Sequence, residues 1–187
     1  MTLSTLDPRS ALILIDLQKG ILGLPTAHPA DRVAANASRL AAAFRQKGLP
    51  VVVVNVAGSP PGRAERSFRA DQMPADWTEL DPRFGLEPTD HRITKRTWGA
   101  FTGTGLEAFL RKEAVTQVVL AGVATTGGVE STGRFAQELG FNVTYAVDAM
   151  TDMSLEAHEN SVTRIFPRIG ETGTTHEIVT LLDRPAA

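Results

Sequence analysis

The stretch from Val115 to Gly140 constrains the fold of this chain more than any other part of the sequence. Its front, Thr116 to Leu120, is a short apolar run rich in Val, which is typical of a buried parallel strand. Its back, Val129 to Leu139, has apolar residues at near-helical spacing and stops at Gly140, a residue type that often follows a helix end. The loop between them, Gly122 to Gly128, therefore leads into a helix start, where backbone N–H groups suit a carboxylate, a phosphate or a developing oxyanion.

Strand and helix patterns alternate along the rest of the chain. Apolar runs predict strands at Ser10–Ile15, Pro50–Val56, His91–Thr94 and Phe141–Val147; helical spacing predicts helices at Asp31–Lys47 and Thr104–Lys112, with later helices beginning at Ser154 and Thr174. This alternation predicts right-handed βαβ units, and so a three-layer α/β/α, Rossmann-like fold with a mostly parallel central sheet. Ligands bind beyond the carboxyl ends of such strands, where Asp16, Asn55 and the Gly122–Gly128 loop would converge.

Composition narrows the classes of function. The 187 residues, 42% hydrophobic and 21% charged, predict a single globular domain over residues 1–187. A net charge of −2 gives no electrostatic case for nucleic acid or an anionic membrane, and no apolar run is long enough to span a bilayer. The polar N-terminus lacks a signal-peptide core. We expect a cytoplasmic protein that acts on a small molecule.

The sequence predicts neither a metal nor a cofactor. There is no cysteine, which excludes disulfides, zinc–thiolate sites and thiol catalysis, and the four histidines lie far apart. Gly122–Gly127 matches the first half of a P-loop, but Gly128 and Val129 follow where Lys and Ser or Thr are needed to bind a nucleotide phosphate.

A long segment, Gly58 to Asp90, differs from the rest of the chain. It is rich in Pro, Gly, Arg and Asp and has no clear period, so it predicts a long loop with short helical pieces. Arg63, Arg66 and Arg69 in this loop are either solvated or in contact with a substrate or partner.

Two charged residues follow apolar strands. Asp16 is either a turn cap or a partly buried carboxyl with a raised pKa that can act as an acid or a base. On its chemistry alone, Lys95 fits a surface lysine better than a site residue. Trp98 and Phe101 fit the core, or an apolar wall over a site.

Three motifs in the same order resemble the isochorismatase-like cysteine hydrolases, a family that includes nicotinamidases. The segment Gly122–Thr132 resembles the family signature G-[VI]-A-T-x-x-C-V-x-x-T, with Gly128 at the position of the nucleophilic Cys. The segment Leu12–Gln18 resembles the strand motif that contains a catalytic Asp, and Lys95–Phe101 resembles K-x-x-x-S-A-F, which contains a catalytic Lys. The resemblance covers the chain from Leu12 to about Leu182.

This resemblance implies roles for particular residues. Asp16, Lys95 and Gly128 occupy the catalytic positions, and the amides of Ala124 and Gly128 form an oxyanion hole beside a cis peptide between Val123 and Ala124. The substrate-binding positions are Gln18, Trp98, Phe101, Thr126 and Gly127. The stretch Asn55–Pro61 lacks the Asp and His of metal-binding nicotinamidases, so no metal is expected. The resemblance also implies a homo-oligomer, a dimer or a tetramer.

The missing cysteine decides which chemistry remains. Glycine cannot attack a carbonyl, and a Thr or Ser hydroxyl from Thr125, Thr126 or Ser131 would need a stronger base than a carboxylate. Isochorismatases proper often have Gly at this position and hydrolyse a vinyl ether without a nucleophilic side chain. Our first hypothesis is therefore a hydrolase of a small carboxylated substrate, such as an isochorismate-type vinyl ether, with Asp16 as general acid and Lys95 orienting it. Our second hypothesis is an inactive member that binds a small ligand or a partner. An open cavity above the Asp16–Lys95 pair favours the first.

Overall fold

A six-stranded sheet, parallel throughout, forms the centre of the fold in the order β3-β2-β1-β4-β5-β6. The computed structural model describes residues 3–65 and 72–184. The strands are β1 (Ser10–Ile15), β2 (Val51–Val56), β3 (His91–Lys95), β4 (Gln117–Val123), β5 (Asn142–Thr151) and β6 (Glu171–Gly173). The predicted α/β fold with a parallel central sheet is confirmed.

Helices cover both faces of this sheet. They are α1 (Lys19–Leu22), α2 (Ala30–Gln46), α3 (Leu106–Lys112), α4 (Glu130–Glu138), α5 (Leu155–Asn160), α6 (Phe166–Ile169) and α7 (Thr175–Leu182). A π-helical turn at Thr125–Val129 leads into α4, and another at Ser161–Ile165 joins α5 to α6. Helices α1, α2 and α7 pack in one hydrophobic cluster, whereas α3, α4 and α6 contribute to the other.

Strand β1 shows why the sequence forms a three-layer fold. All six of its residues are buried. Leu12 and Leu14 point into the cluster with α2, and Ala11, Ile13 and Ile15 point into the cluster with α3 and α4. Because successive strand side chains alternate between the two faces of the sheet, a continuous apolar run is stable only with helices on both faces.

Two helix starts form as their sequences predict. The Ser154 hydroxyl accepts a hydrogen bond from the Ala157 N–H at the start of α5. At α7, the Thr174 hydroxyl accepts from the Glu177 N–H, and the Glu177 carboxylate accepts from the Thr174 N–H, which completes a capping box.

Strands β4 and β5 extend further than predicted, to Val123 and Thr151. The predicted end of β4 was too early because the prediction assigned Gly122 to the loop that follows the strand. In the structure Gly122 has a φ of 126°, and a Cβ at this residue would collide with the Ile15 carbonyl. Gly122 therefore lets β4 pass close to β1 at the edge of the sheet where both strands end. Strand β6 and helix α1, three and four residues long, were not predicted.

Segment 58–90 is a loop where the structure describes it, in residues 58–65 and 72–90. It contains a 3-10 turn at Pro82–Phe84 and a buried Trp77. Arg63 is exposed, whereas Arg66 and Arg69 lie outside the described residues. The inner part of this loop is packed against the fold, because Trp77 belongs to the cluster formed with α1 and α2.

The strand order reverses between β1 and β4. From β1 the chain builds the sheet outward through β2 and β3, and from β4 it builds outward in the other direction through β5 and β6. A crevice at such a switch point, beyond the carboxyl ends of the strands, is the usual ligand site of open α/β sheets. The residues that follow β1, β3 and β4 meet there.

Candidate active site

Asp16 lies directly after β1, at the carboxyl edge of the sheet. Its backbone has a φ of 51°, a left-handed conformation that Asp tolerates better than most residues. This bend turns the chain out of the strand while its N–H still donates to the Val54 carbonyl at 2.9 Å. The residue itself is only 5% exposed.

Lys95, the last residue of β3, reaches across β2 to the Asp16 carboxylate. Its Nζ lies 2.8 Å from Asp16 Oδ2, and both side chains are buried. The same ammonium donates to the carbonyls of Thr97 at 3.2 Å and Trp98 at 2.9 Å. Three acceptors match the three donors of an ammonium group, so the lysine head is held in one position.

Burial dominates the electrostatics of Asp16. Removal of water from the carboxylate raises the pKa of Asp16 from 3.8 to about 6, although the charge and hydrogen bond of Lys95 act in the opposite direction. The neutral acid is therefore within reach near neutral pH, which is the condition for a carboxyl to act as a general acid.

One oxygen of this carboxyl has no partner. Asp16 Oδ1 is buried and makes no hydrogen bond to any described residue, whereas Oδ2 is bound by Lys95. A buried polar atom that remains unpaired costs stability, so native proteins rarely leave one without a functional reason. An unpaired Oδ1 is free to hold a proton and donate it.

Gly128 lies above the ion pair, in the π-helical turn that follows β4. A Cβ at this residue would be 3.2 Å from Asp16 Oδ2 and 3.4 Å from Lys95 Nζ. It would also approach Ile15 Cγ2 to 2.7 Å, closer than two carbon atoms pack. The side-chain direction of residue 128 therefore points at the Asp–Lys pair, and glycine leaves that space open.

The loop before Gly128 has an unusual backbone. The peptide bond between Val123 and Ala124 is cis. The Ala124 carbonyl accepts from the N–H groups of Gly127 at 3.1 Å and Val129 at 3.2 Å, which fixes the turn. Gly127 lets the Trp98 ring approach, because a Cβ there would lie 3.3 Å from Trp98 Cζ3.

These groups line one cavity of about 200 Å³. Asp16 and Lys95 are the charged side chains that line it within the described ranges. Most of the remaining wall is apolar. It comes from α1, the end of β2, the 58–65 segment and the residues after β3 and β5. Its apolar members include Ile21, Leu24, Val56, Pro60, Trp98 and Met153. The geometry is a buried acid–base pair at the base of an apolar pocket.

The structure brings together most, but not all, of the expected site residues. Asp16, Lys95, Trp98, Ala124, Gly127 and Gly128 all line the cavity, whereas Gln18, Phe101 and Thr126 are not among its described lining residues. The Gln18 amide is occupied by backbone groups, because it donates to Val56 O and Trp77 O and accepts from Val56 N. Phe101 packs near Phe141 in the cluster with α3.

Thr126 holds the loop in place through hydrogen bonds to Asp152. Its N–H and hydroxyl both donate to Asp152 Oδ2, at 2.9 and 2.7 Å. Asp152 also accepts from the Met153 N–H at 2.8 Å through Oδ1, so one buried carboxylate ties the loop to the end of β5. No sequence pattern predicts this contact, since the two residues are 26 positions apart.

Thr125 resembles a nucleophile beside a base, but it lies away from the cavity. Its hydroxyl is 2.8 Å from His158 Nδ1, and both residues are buried. Burial lowers the pKa of His158, and the neighbouring His28 lowers it further. Thr125 is fully buried and is absent from the described cavity lining. This pair therefore connects the loop to helix α5 instead of facing the cavity.

Sequence reasoning missed most of the apolar wall. Ile21 and Leu24 come from the short helix α1 and its end, and Met153 follows the extended part of β5. An element as short as α1 shows no hydrophobic periodicity, so the sequence contains no pattern that predicts these residues as part of the cavity wall.

Within residues 3–65 and 72–184, no helix is long and apolar enough to cross a membrane. No group of three or more His, Cys, Asp or Glu side chains there could hold a metal ion.

Comparison with known proteins identifies the family to which this fold belongs. The model of the isochorismatase domain matches residues 10–177. An uncharacterized isochorismatase family protein of Escherichia coli O157:H7 is 42% identical, over 92% of this chain and 96% of its own. An uncharacterized isochorismatase family protein of Bacillus subtilis is 40% identical, over 91% and 93%.

A solved structure gives the same result in three dimensions. An isochorismatase family protein from Burkholderia thailandensis superposes with a TM-score of 0.92 at 37% identity, over 96% of this chain and 98% of its own. The matching domain model, the relatives above 30% identity and this superposition together show that the chain belongs to the isochorismatase family of hydrolases.

Proposed function

We propose that this protein hydrolyses a vinyl ether of a small carboxylated molecule by acid–base catalysis, without a covalent intermediate. The observation that most supports the proposal is the unpaired Oδ1 of Asp16, buried at the cavity beside Lys95 and below Gly128. An isochorismate-type vinyl ether is the candidate substrate. Ether hydrolysis fits better than amide hydrolysis, because no thiol is present to attack a carbonyl.

The proposed reaction begins with proton transfer. The Oδ1–H of neutral Asp16 gives its proton to the terminal vinyl carbon, and the electron pair of the C=C bond forms the new C–H bond. The ether carbon becomes an oxocarbenium ion. Water adds to this carbon and returns a proton to the Asp16 carboxylate. The resulting hemiketal then collapses to a ketone and an alcohol, so one water is consumed for each ether bond broken.

Lys95 has two roles in this scheme. Its ammonium holds Asp16 Oδ2 at 2.8 Å, which fixes the carboxyl so that Oδ1 is directed to the substrate. It also provides positive charge for a substrate carboxylate. The proposed oxyanion hole, formed by the N–H groups of Ala124 and Gly128, would bind oxygen that gains negative charge as the hemiketal collapses.

A second candidate is a catalytically inactive member that binds a small ligand or a partner. The absence of cysteine favours it. An open cavity of about 200 Å³ over the ion pair favours the enzyme, since neither Trp98 nor the described part of the 58–90 loop fills it.

Pyruvate release from isochorismate tests the proposal, with wild type, Asp16→Asn and Lys95→Ala measured side by side. Release by wild type that is lost in both variants would support acid-catalysed vinyl-ether hydrolysis. Release that persists in Asp16→Asn would contradict the mechanism. No release by wild type would remove isochorismate as the substrate, and binding of isochorismate without release would support the inactive alternative.

We also propose that the protein is a homo-oligomer, a dimer or a tetramer. Large apolar side chains are exposed on α4 and at the start of α5, with Phe135 43% and Leu155 49% exposed. Sedimentation equilibrium across the micromolar range would measure the mass directly, and a monomer at all concentrations would contradict this proposal.

A further inference from the structure

The five residues of the loop that joins β4 to α4 form two groups. Ala124, Gly127 and Gly128 line the cavity, and none of them has a side chain that can make a hydrogen bond. Thr125 and Thr126 are absent from the described lining, and each is hydrogen-bonded to a side chain that follows β5 in the chain. The side-chain anchors of this loop are therefore its two threonines.

Thr125 is the anchor that lies deeper in the protein. Its hydroxyl is 2.8 Å from Nδ1 of His158, on helix α5, and both residues are buried. Thr126, by contrast, is exposed, although Asp152 binds it. Loss of the His158 side chain would leave a buried hydroxyl unpaired, which is costlier than loss of a bond that water can replace.

His158 is itself held in one orientation. Its ring packs edge-on against the ring of His28, with centroids 4.7 Å apart and an angle of 63° between the ring planes. Nδ1 of His28 lies 3.1 Å from the hydroxyl of Thr151, the last residue of β5. The imidazole that binds Thr125 is therefore fixed to the sheet as well as to α5.

The place of Thr125 in the chain connects this anchor to the site. Thr125 directly follows Ala124 and begins the π-helical turn that contains Gly128. The far end of the turn is held separately, because the Thr132 hydroxyl donates to the Gly128 carbonyl at 2.6 Å. Bonds at both ends thus fix the turn to which the proposed oxyanion hole belongs.

We infer that His158 is a positioning residue: through Thr125, it holds the N–H groups of Ala124 and Gly128 in place at the cavity. This inference rests on the proposed function, which assigns these two N–H groups to an oxyanion hole. It adds a residue that acts from a distance, since His158 is not among the described lining residues.

Kinetics of paired variants test the inference. Thr125→Val and His158→Leu each remove one partner of the bond. Each should lower kcat for isochorismate by roughly 10- to 100-fold with little change in KM, because a small misplacement of groups at a reacting centre is costly. Thr125→Ser and His158→Asn keep a hydrogen-bonding group at the same place, and should keep most of the wild-type kcat.

The double variant Thr125→Val/His158→Leu asks whether both residues act through one bond. If they do, it should be no slower than the slower single variant, because the second substitution has no bond left to remove. Wild-type kcat in either single variant, or losses that multiply in the double variant, would overturn the inference.

A control variant separates positioning from a loss of stability. Ser154→Ala removes the hydroxyl that accepts from the Ala157 N–H, so it weakens the start of the helix that carries His158 without touching Thr125. The folded variant should keep the wild-type kcat. A loss of kcat equal to that of His158→Leu would show that the stability of α5 matters instead of the bond, and would overturn the inference.

The Gly128 N–H can also be observed without turnover. In protein labelled with nitrogen-15 glycine, the Gly128 amide signal is assigned by its absence in Gly128→Ala. This signal should move in Thr125→Val and His158→Leu and stay in place in Ser154→Ala. An unmoved signal in His158→Leu would overturn the inference even if isochorismate is hydrolysed. A moved signal without pyruvate release by wild type would support the inference and remove isochorismate as the substrate, so the two failures are distinguishable.

Discussion

Two ion pairs, each with a buried carboxylate, lie at opposite edges of the central sheet, and their hydrogen bonds differ. At the amino edge, Arg45 and Asp90 are joined by two bonds, from Nε to Oδ1 at 3.0 Å and from Nη2 to Oδ2 at 2.6 Å. The Glu87 N–H also donates to Asp90 Oδ2 at 2.8 Å. At the carboxyl edge, Asp16 is bound by Lys95 through Oδ2 only, and Oδ1 has no described partner.

The difference distinguishes a structural pair from the pair that we propose to be reactive. Both oxygens of Asp90 accept hydrogen bonds from the protein, so this carboxylate has no free oxygen for a ligand. Asp16 has one oxygen free and faces a cavity, which keeps a proton site available for a substrate. Burial alone therefore does not identify a functional carboxyl; incomplete hydrogen bonding beside a cavity does.

The largest expected effect is on activity. Asp16→Asn keeps the size of the side chain but removes the acidic proton, so vinyl-ether hydrolysis should fall by roughly 10²–10⁴ in kcat/KM. Steady-state kinetics measures the loss, and circular dichroism checks that the fold remains. A decrease of less than about tenfold would show that Asp16 is not the acid.

The matching change in the other pair should affect stability instead. Asp90→Asn removes the buried carboxylate that binds Arg45, which keeps only the exposed Glu87 at 3.7 Å, and we expect the free energy of unfolding to fall by about 2 kcal/mol. Urea denaturation measures this loss. Activity per folded molecule should equal that of wild type, and a loss as large as that of Asp16→Asn would remove the distinction between the pairs.

A smaller effect is expected from filling the space above the reactive pair. Gly128→Ala places a Cβ 2.7 Å from Ile15 Cγ2 and 3.2 Å from Asp16 Oδ2, so neighbouring atoms must move. We expect a loss of about 2 kcal/mol in stability and lower activity. Gly62→Ala is the matched control, since its Cβ would meet nothing within 4 Å. Equal effects of the two substitutions on stability and activity would show that the protein does not depend on the open space at residue 128.

The smallest expected effect concerns a second unpaired atom. The Tyr145 hydroxyl is buried and has no described hydrogen-bond partner, but Tyr145 lies in the cluster with α3 and does not line the described cavity. Its ring stacks on Phe166, with centroids 3.7 Å apart, and Tyr145→Phe keeps this contact. Stability should change by less than about 1 kcal/mol, with activity unchanged. A large loss of activity would mean that an unpaired atom matters even away from the cavity.

Part of the candidate site was predictable because its residues are tied to strand ends. Asp16 follows a continuous apolar strand, Lys95 ends another, and Gly128 follows the Gly-rich loop after a third. Parallel topology brings such ends together, which predicts that Asp16 and the Gly122–Gly128 loop lie close to each other. Lys95 was identified only through the resemblance of its segment to a family motif. The helix caps at Ser154 and Thr174 were equally local and equally predictable.

The rest of the site depends on contacts between distant parts of the chain. Gln18 sits in a recognisable motif, yet its amide binds the backbone of Val56 and Trp77, 38 and 59 positions away. Thr126 likewise binds Asp152. Sequence cannot show which polar side chains the fold itself occupies. Nor could it reveal the apolar wall, because Leu24 and Met153 belong to no periodic pattern.

The central claim is that burial makes the Asp16 carboxyl titrate well above the ordinary range of an aspartate, and a titration of this carboxyl tests it most directly. Carbon-13 NMR of the Asp16 Cγ, assigned by its absence in Asp16→Asn, should give a midpoint near pH 6, because burial raises the pKa of Asp16 to about 6 despite Lys95. Hydrolysis should then decline as pH rises above the same midpoint. A midpoint at or below the ordinary value of 3.8 would show that Lys95 keeps Asp16 ionised, and would contradict acid catalysis at this site.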